Sequence, residues 1–269
     1  MEVRPAQRRN HKTSVEALRI DVTGREGSIA EQIFHMLRAS IVTMRMTPAT
    51  ALSEQDIADR LNVSRQPVRE AFIKLSEIGL VRVLPQRGTF VVKISAKAVT
   101  DARFVREAVE CAIARRAAET LTPDGVGILK AVIAEQRAAM KAGDLERFFI
   151  LDEAFHRGLA HATGCTYAWK VVEQAKAQMD RVRFLSVPDA TPVDRLIMQH
   201  QAILDAIAGR RVDAADKAMK AHLREILRSL PRLARAFPDM FEAESDDAGE
   251  THPANDKTTA PKPRKKAAR

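Results

Sequence analysis

Residues 52–91 read LSEQDIADRLNVSRQPVREAFIKLSEIGLVRVLPQRGTFV. Ser53 is placed to cap a first helix, EQDIADRL, with Asp56 three residues on as a variant of the capping box. Asn62-Val63 makes a short turn, and Ser64 caps a second helix, RQPVREAFIKLSEIG. Pro67 is tolerated in its first turn, where a missing N–H has no helical partner to lose, and Gly79 ends it as a C′ residue. Two short runs of β character follow, LVRVL and GTFVVKI, joined through Pro85-Gln86-Arg87-Gly88 into a hairpin. Upstream, IAEQIFHMLRASIV puts Ile29, Ile33, Phe34, Leu37 and Ile41 on one helical face, and Met46–Ala51, with Pro48, breaks that helix. Helix, helix–turn–helix and hairpin make residues 28–95 a winged helix-turn-helix, a size that suits an independent module.

In such a module the second helix of the pair enters a major groove through its N-terminal residues. Ser64, Arg65, Gln66 and Arg69 stand there, with Arg87 and Gly88 in the wing. The planar donor fork of Arg suits guanine O6/N7 or phosphate, Gln66 can pair with adenine, and Gly88 lets backbone approach a minor groove. From the helix alone, two arginines four apart are equally well read as a solvated face. Bulk charge adds little: the chain carries +9 overall, but residues 28–95 hold only 9 basic and 6 acidic side chains.

Beyond Ile94 the pattern changes. Six amphipathic stretches, 97–121, 123–142, 144–163, 166–186, 192–209 and 212–236, are separated by short breaks, which implies antiparallel neighbours in a bundle. Aromatics at 4% argue against a β-sandwich and fit Ala- and Leu-rich helices. The fold class expected is therefore mainly α: an N-terminal winged helix-turn-helix and a C-terminal antiparallel bundle of six or more helices, residues 96–237. Residues 1–27 read as a flexible lead-in and 238–269 as a disordered tail, acidic from Glu242 to Asp256 and then basic. Cys111 and Cys165 cannot build a disulfide framework or a thiolate zinc cluster. With no apolar run near a membrane span's roughly 20 residues and no h-region at the N-terminus, a cytoplasmic protein is expected.

Four histidines lie in the helical region: His156, His161, His200 and His222. Asp152 and His156 are spaced i,i+4 on a face that carries Phe148, Phe155 and Leu159, so both point inward. His200 and His222 sit on two later helices among apolar positions. One carboxylate and three imidazoles could converge as ligands for zinc, nickel, manganese or iron. The other reading of the same spacing is a core Asp–His hydrogen bond and two unrelated histidines.

The 52–91 string, with VSRxPVREA, then L…GLV, then RGTFV, closely resembles the winged-helix domain of the GntR family of bacterial transcription regulators. Residues 97–236 look like the FCD ligand-binding domain of that family's FadR-like branch, whose metal pattern is Asp-x3-His followed by single histidines on two later helices. The resemblance implies operator binding by Arg65, Arg69 and Gly88, assisted by Ser64, Gln66 and Arg87. It also implies a metal held by Asp152, His156, His200 and His222, zinc first among the candidates. Arg106 matches an Arg that faces the effector in this family; an exposed ion pair with Glu110 at i,i+4 competes with that role. There are departures. Gln55 replaces an Arg that touches DNA in many relatives, Ala49 follows Pro48 where Gly is usual, and Cys165 follows Gly164 where Asn is common.

Three functions are compatible with these features. The leading one is a transcription regulator, expected to be a repressor and not an enzyme. It would act as a homodimer on double-stranded operator DNA, associate with the nucleoid when bound, and respond to a small carboxylate effector. A metal-dependent hydrolase or lyase fused to a winged helix is the alternative and would need a general base beside the metal. A third, architectural role through the basic tail would give sequence-indifferent binding with a steep salt dependence.

Overall fold

The computed structural model describes residues 27–186 and 192–243. In chain order these form α1 (Ile29–Val42), β1 (Ala51–Leu52), α2 (Glu54–Leu61), α3 (Arg65–Glu77), β2 (Val81–Leu84) and β3 (Gly88–Val91). The helical region follows as α4 (Ala96–Thr120), α5 (Pro123–Ala142), α6 (Leu145–Ala162), α7 (Thr166–Ala175) and α8 (Ala177–Ser186). It continues with α9 (Val193–Ala208), α10 (Val212–Leu223), α11 (Ile226–Ala236) and a 3₁₀ turn at Pro238–Met240. The mainly α architecture expected from the sequence is the one observed.

Capping starts the first helices. Ser28 Oγ accepts the Glu31 amide at 3.2 Å while Glu31 Oε2 accepts the Ser28 amide at 3.0 Å, a complete capping box. Ser53 Oγ likewise accepts the Asp56 amide at 3.2 Å. Ser64 occupies the N-cap of α3 without a side-chain cap bond, which leaves its hydroxyl free to face outward. Ile33, Leu37 and Ile41 of α1 pack against Val68, Ala71 and Leu75 of α3 in one apolar cluster. Ile29, expected on that face, is 42% exposed, at the first residue of the helix.

The hairpin forms with Val83 paired to Thr89 and Leu84 to Gly88. β1, invisible to a two-residue periodicity over so short a run, adds a third strand in the order β1-β3-β2. Reaching that edge requires a left-handed residue at Ala49 (φ +65°), whose amide donates to the Val91 carbonyl at 2.9 Å. A Cβ in the left-handed region costs about 1 kcal/mol, which is the physical content of the Gly that the resemblance implies at this position.

Two of the six expected helices are each divided. Residues 166–186 break at Lys176 and residues 212–236 break at Arg224-Glu225, neither of which is a helix breaker. Helical hydrogen bonds bracket the first break, Lys176 N to Val172 O at 3.0 Å and Asp180 N to Lys176 O at 2.8 Å, and the second tightens to Leu227 N–Arg224 O and Arg228 N–Glu225 O ahead of Pro231 inside α11. Lys176 is buried and pairs with Glu153 at 2.9 Å and Asp180 at 2.6 Å, while Glu225 accepts Gln199 Nε2 at 3.0 Å. The expected tail also starts later than residue 238. Phe241 is buried and bridges Ile94 in parallel, with the Ile94 amide donating to Met240 O and the Glu242 amide to Ile94 O. The apolar pair Phe237 and Phe241 pulls this segment onto the base of α4 and α11. Residues 1–26 of the lead-in, 187–191 of the Pro188–Pro192 break, and 244–269 of the tail lie outside the described residues. Among the described residues, no helix is long and apolar enough to cross a membrane.

Candidate metal centre and nucleic-acid interface

The residues singled out for DNA contact are all exposed. Ser64, Arg65, Gln66 and Arg69 are exposed on the first turns of α3, and Arg87 and Gly88 are exposed at the hairpin tip. Gly88 has φ +100° and Gln86 φ +60°, so the tip is a tight turn that only Gly and a strained polar residue supply. Glu54, at the start of α2, accepts from Arg65 Nη2 at 3.0 Å and from Arg69 Nε and Nη2 at 3.2 Å. The arginines are thereby held side by side and aimed outward, and the hydrogen bonds from Arg69 hold the Glu54 carboxyl below its usual range despite some desolvation. Gln66 is tethered to Glu70 at 3.0 Å and Gln55 to Asp59 at 2.7 Å. Sequence reasoning missed Glu54, though its position eleven residues ahead of Arg65 across the turn was legible.

In the bundle the Asp–His pattern closes on a single point. Asp152 and His156 come from α6, His200 from the middle of α9 and His222 from the last turn of α10. All four are buried, and one ligand atom from each lies within 4.8 Å of the others. His156 Nε2 is 3.1 Å and His200 Nε2 3.3 Å from His222 Nε2, and His200 Nε2 is 3.6 Å from Asp152 Oδ1. Donors around a small tetrahedral ion stand roughly 3.3 Å apart. The competing expectation, an Asp152–His156 pair with two unrelated histidines, does not describe this cluster. His161, expected to fall outside it, is exposed.

The second ring nitrogens fix the tautomers. His200 Nδ1 lies 2.9 Å from Gln136 Oε1, and His222 Nδ1 2.9 Å from Gln199 Oε1. Facing a carbonyl oxygen, each Nδ1 must donate, so each Nε2 presents a bare lone pair toward the centre. His156 Nδ1 sits 2.6 Å from Glu110 Oε2, a close contact at an angle short of a hydrogen bond. Arg183 Nη2 donates to Asp152 Oδ2, while the buried Asp152 Oδ1 has no hydrogen-bond partner. Lone pairs converging from several sides beside an unpaired carboxylate oxygen are costly unless a cation sits among them. The donor set therefore fits a divalent metal.

Electrostatics point the same way. Burial pushes His200 down to about 3, and burial with the neighbouring imidazoles lowers His222 well below its ordinary value. Burial would raise Asp152, but Arg183 and the three imidazoles outweigh it and hold the carboxyl far below the usual range. Near neutral pH the centre thus offers an ionised carboxylate and at least two neutral imidazoles, the protonation a metal needs.

Arg106 is buried, so its pair with Glu110 is an internal clamp and not the exposed pair considered from sequence. Its Nε lies 2.5 Å from Glu110 Oε1 and its Nη2 3.3 Å from Oε2. Burial opposes the Glu110 charge, yet Arg106 and His156 hold that carboxyl down to about 2. Arg106 also lines a narrow cavity beside His222 with Arg183, Ser186, Leu196 and Glu225. The space between these atoms totals about 350 Å³, including open solvent, and its interior admits little more than one water. Arg183, Gln136 and Gln199 were missed from sequence; Gln136 alone left a trace, a polar residue on the buried Leu129–Ile133 face of α5. Cys165 packs its partly buried side chain against the bundle core, as a small apolar residue does.

A winged helix-turn-helix joined to a helical bundle around a buried Asp–His cluster defines a class of DNA-binding transcription regulator. Residues 29–91 match the family model described as bacterial regulatory proteins, gntR family, and residues 101–225 match the FCD domain. The HTH-type transcriptional repressor RspR of Escherichia coli K12 is 43% identical over 216 residues, 80% of this chain and 95% of that one. An uncharacterised HTH-type regulator of Streptomyces ambofaciens is 38% identical over 209 residues, 78% and 88% of the two chains. Among solved structures, a GntR regulator from Rhodococcus sp. RHA1 superposes with TM-score 0.63 at 25% identity over 75% of this chain and 98% of its own. E. coli McbR/YncC, at 18% identity, shares the fold with TM-score 0.67 over 78% and 99%. The chain belongs to the GntR family of bacterial transcription regulators and carries a C-terminal FCD domain.

Proposed function

We propose that this regulator is a homodimeric repressor whose operator affinity is set by a small organic acid bound at a divalent metal, zinc first. Asp152, His156, His200 and His222 hold the ion. The observation that carries this reading is the convergence of bare imidazole nitrogens on the unpartnered Asp152 Oδ1 at the edge of a cavity. When bound, the ion supplies a Lewis-acid anchor for a carboxylate oxygen. Gln136 and Gln199 keep His200 and His222 in the ligating tautomer, and Glu110 orients His156. Arg106 and Arg183 stand at the cavity wall and would supply positive charge toward the acid, whose entry requires the cavity to widen beyond the one-water space it has here.

On the DNA side, Arg65 and Arg69 read or clamp the major groove, assisted by Ser64 and Gln66, while Arg87 and Gly88 carry the wing along the backbone. Two copies present two such helices to half-sites about one helical turn apart. The mechanism is a population shift: an acid that binds one bundle geometry better favours the arrangement in which the paired recognition helices no longer match the operator. The relative named as a repressor supports the sign. The test is an operator titration of the zinc-loaded protein against a panel of mono- and dicarboxylates. At least one acid should weaken binding tenfold or more in the wild type and not in His222→Ala; equal operator affinity with every acid contradicts the reading.

A further inference from the structure

One helix of the bundle, α8, packs against both domains. Along its ten residues, α8 points Arg183 at the candidate metal ligand Asp152 and Asp180 at Arg38 of α1, Nη2 to Oδ2 at 2.7 Å. Arg183 Nη1 is 3.7 Å from Asp180 Oδ1, so a continuous line of charge runs Asp152–Arg183–Asp180–Arg38. A branch from Asp180 through Lys176 reaches Glu153, the residue after Asp152. Every link except Glu153 is at most 17% exposed in its side chain, so water screens it weakly.

The same helix grips the DNA-binding domain at two further points and in its core. Gln178 Nε2 donates to the carbonyl of Gly79, the residue that ends recognition helix α3. Arg181 Nη1 donates at 2.9 Å to the carbonyl of Val92, where strand β3 leaves the wing. Ala177 is part of the winged-helix apolar cluster. The joint is also poorly satisfied. Arg181 is fully buried; among the described residues it has no carboxylate partner and its Nε and Nη2 lack hydrogen bonds, and burial lowers it to about 10. An uncompensated buried guanidinium destabilises the packing that holds it.

We infer that α8 is the lever between the domains: Arg183 positions Asp152 at the centre, and Asp180 passes a shift of α8 to α1 through Arg38 while Gln178 and Arg181 move the ends of α3 and the wing. The inference rests on reading the Asp–His cluster as a metal site and names how that site is coupled. Arg183 is thus a positioning residue, acting through Asp152.

The test is amide hydrogen exchange on the full-length wild type and on Arg38→Gln, each with and without one equivalent of zinc, with zinc affinity measured alongside. In the wild type, zinc should alter exchange in α6, α9, α10, α8 and α1. In Arg38→Gln the change should stop at α8, with zinc affinity within about twofold of wild type. An α1 response equal in both proteins, or none in the wild type that binds zinc, overturns the lever. If zinc binds neither protein, the metal reading fails, and Asp152→Asn, which releases Arg183 without an ion, decides the lever instead. Exchange in α1 must then change in Asp152→Asn and not in the double variant with Arg38→Gln; no change overturns it.

Discussion

Gln136 shows what a single residue adds to a motif. The Asp-x3-His spacing and two isolated histidines pointed to four ligands, and the fold brings those four together. The groups that make them usable, Gln136, Gln199 and Glu110, come from other helices or an unremarkable neighbour, and sequence spacing contains no record of such pairings. Replacing Gln136 by Met removes the acceptor that fixes the His200 tautomer. Metal affinity, measured by competition with a chromogenic chelator, should fall about 10–100-fold with the fold retained. On the other domain, Arg69→Ala should weaken operator binding by roughly 1–3 kcal/mol if Arg69 reads a base. A gel-shift titration giving wild-type affinity would remove it from the interface. Glu54 adds a control absent from the sequence reading, since it holds both Arg65 and Arg69.

Elements were legible where local chemistry sets them. Ser53, Asn62 and Gly79 punctuate α2 and α3 through side-chain caps and left-handed turns, and those boundaries follow from short-range physics. The breaks at Lys176 and Glu225 carry no such signal: no Gly, Pro or capping side chain stands at either, and Pro231 lies five residues inside α11. β1 was hidden for a different reason: two residues have no period. Its approach through Ala49 leads to a prediction. Ala49→Gly relieves roughly 1 kcal/mol of left-handed strain and returns part of it as unfolded-state entropy, for a net gain of about 0.5 kcal/mol. Chemical denaturation should show a small rise in midpoint. A fall of similar size would mean that the left-handed turn costs Ala nothing.

At the scale of the whole molecule, two apolar clusters, one in the winged helix and one in the bundle, are joined by a third that gathers Ile94, Met179, Leu230 and Phe241. The net charge proved a poor guide to this organisation; the proposed DNA-binding surface rests on placed side chains of α3. The third cluster was unreadable because Phe241 lies in a segment whose composition resembles a tail. A buried metal that ties α6, α9 and α10 together should stabilise the bundle by mass action, as any ligand that binds only the folded state does. Chelation should therefore lower the melting temperature of the wild type and leave that of His200→Ala unchanged.

The most direct measurement is native mass spectrometry of the purified chain dialysed against stoichiometric zinc and then buffer. The account predicts a dimer carrying one divalent ion per chain, and His200→Ala as a dimer without it. A wild-type protein that folds and dimerises but retains no metal would contradict the account at its centre.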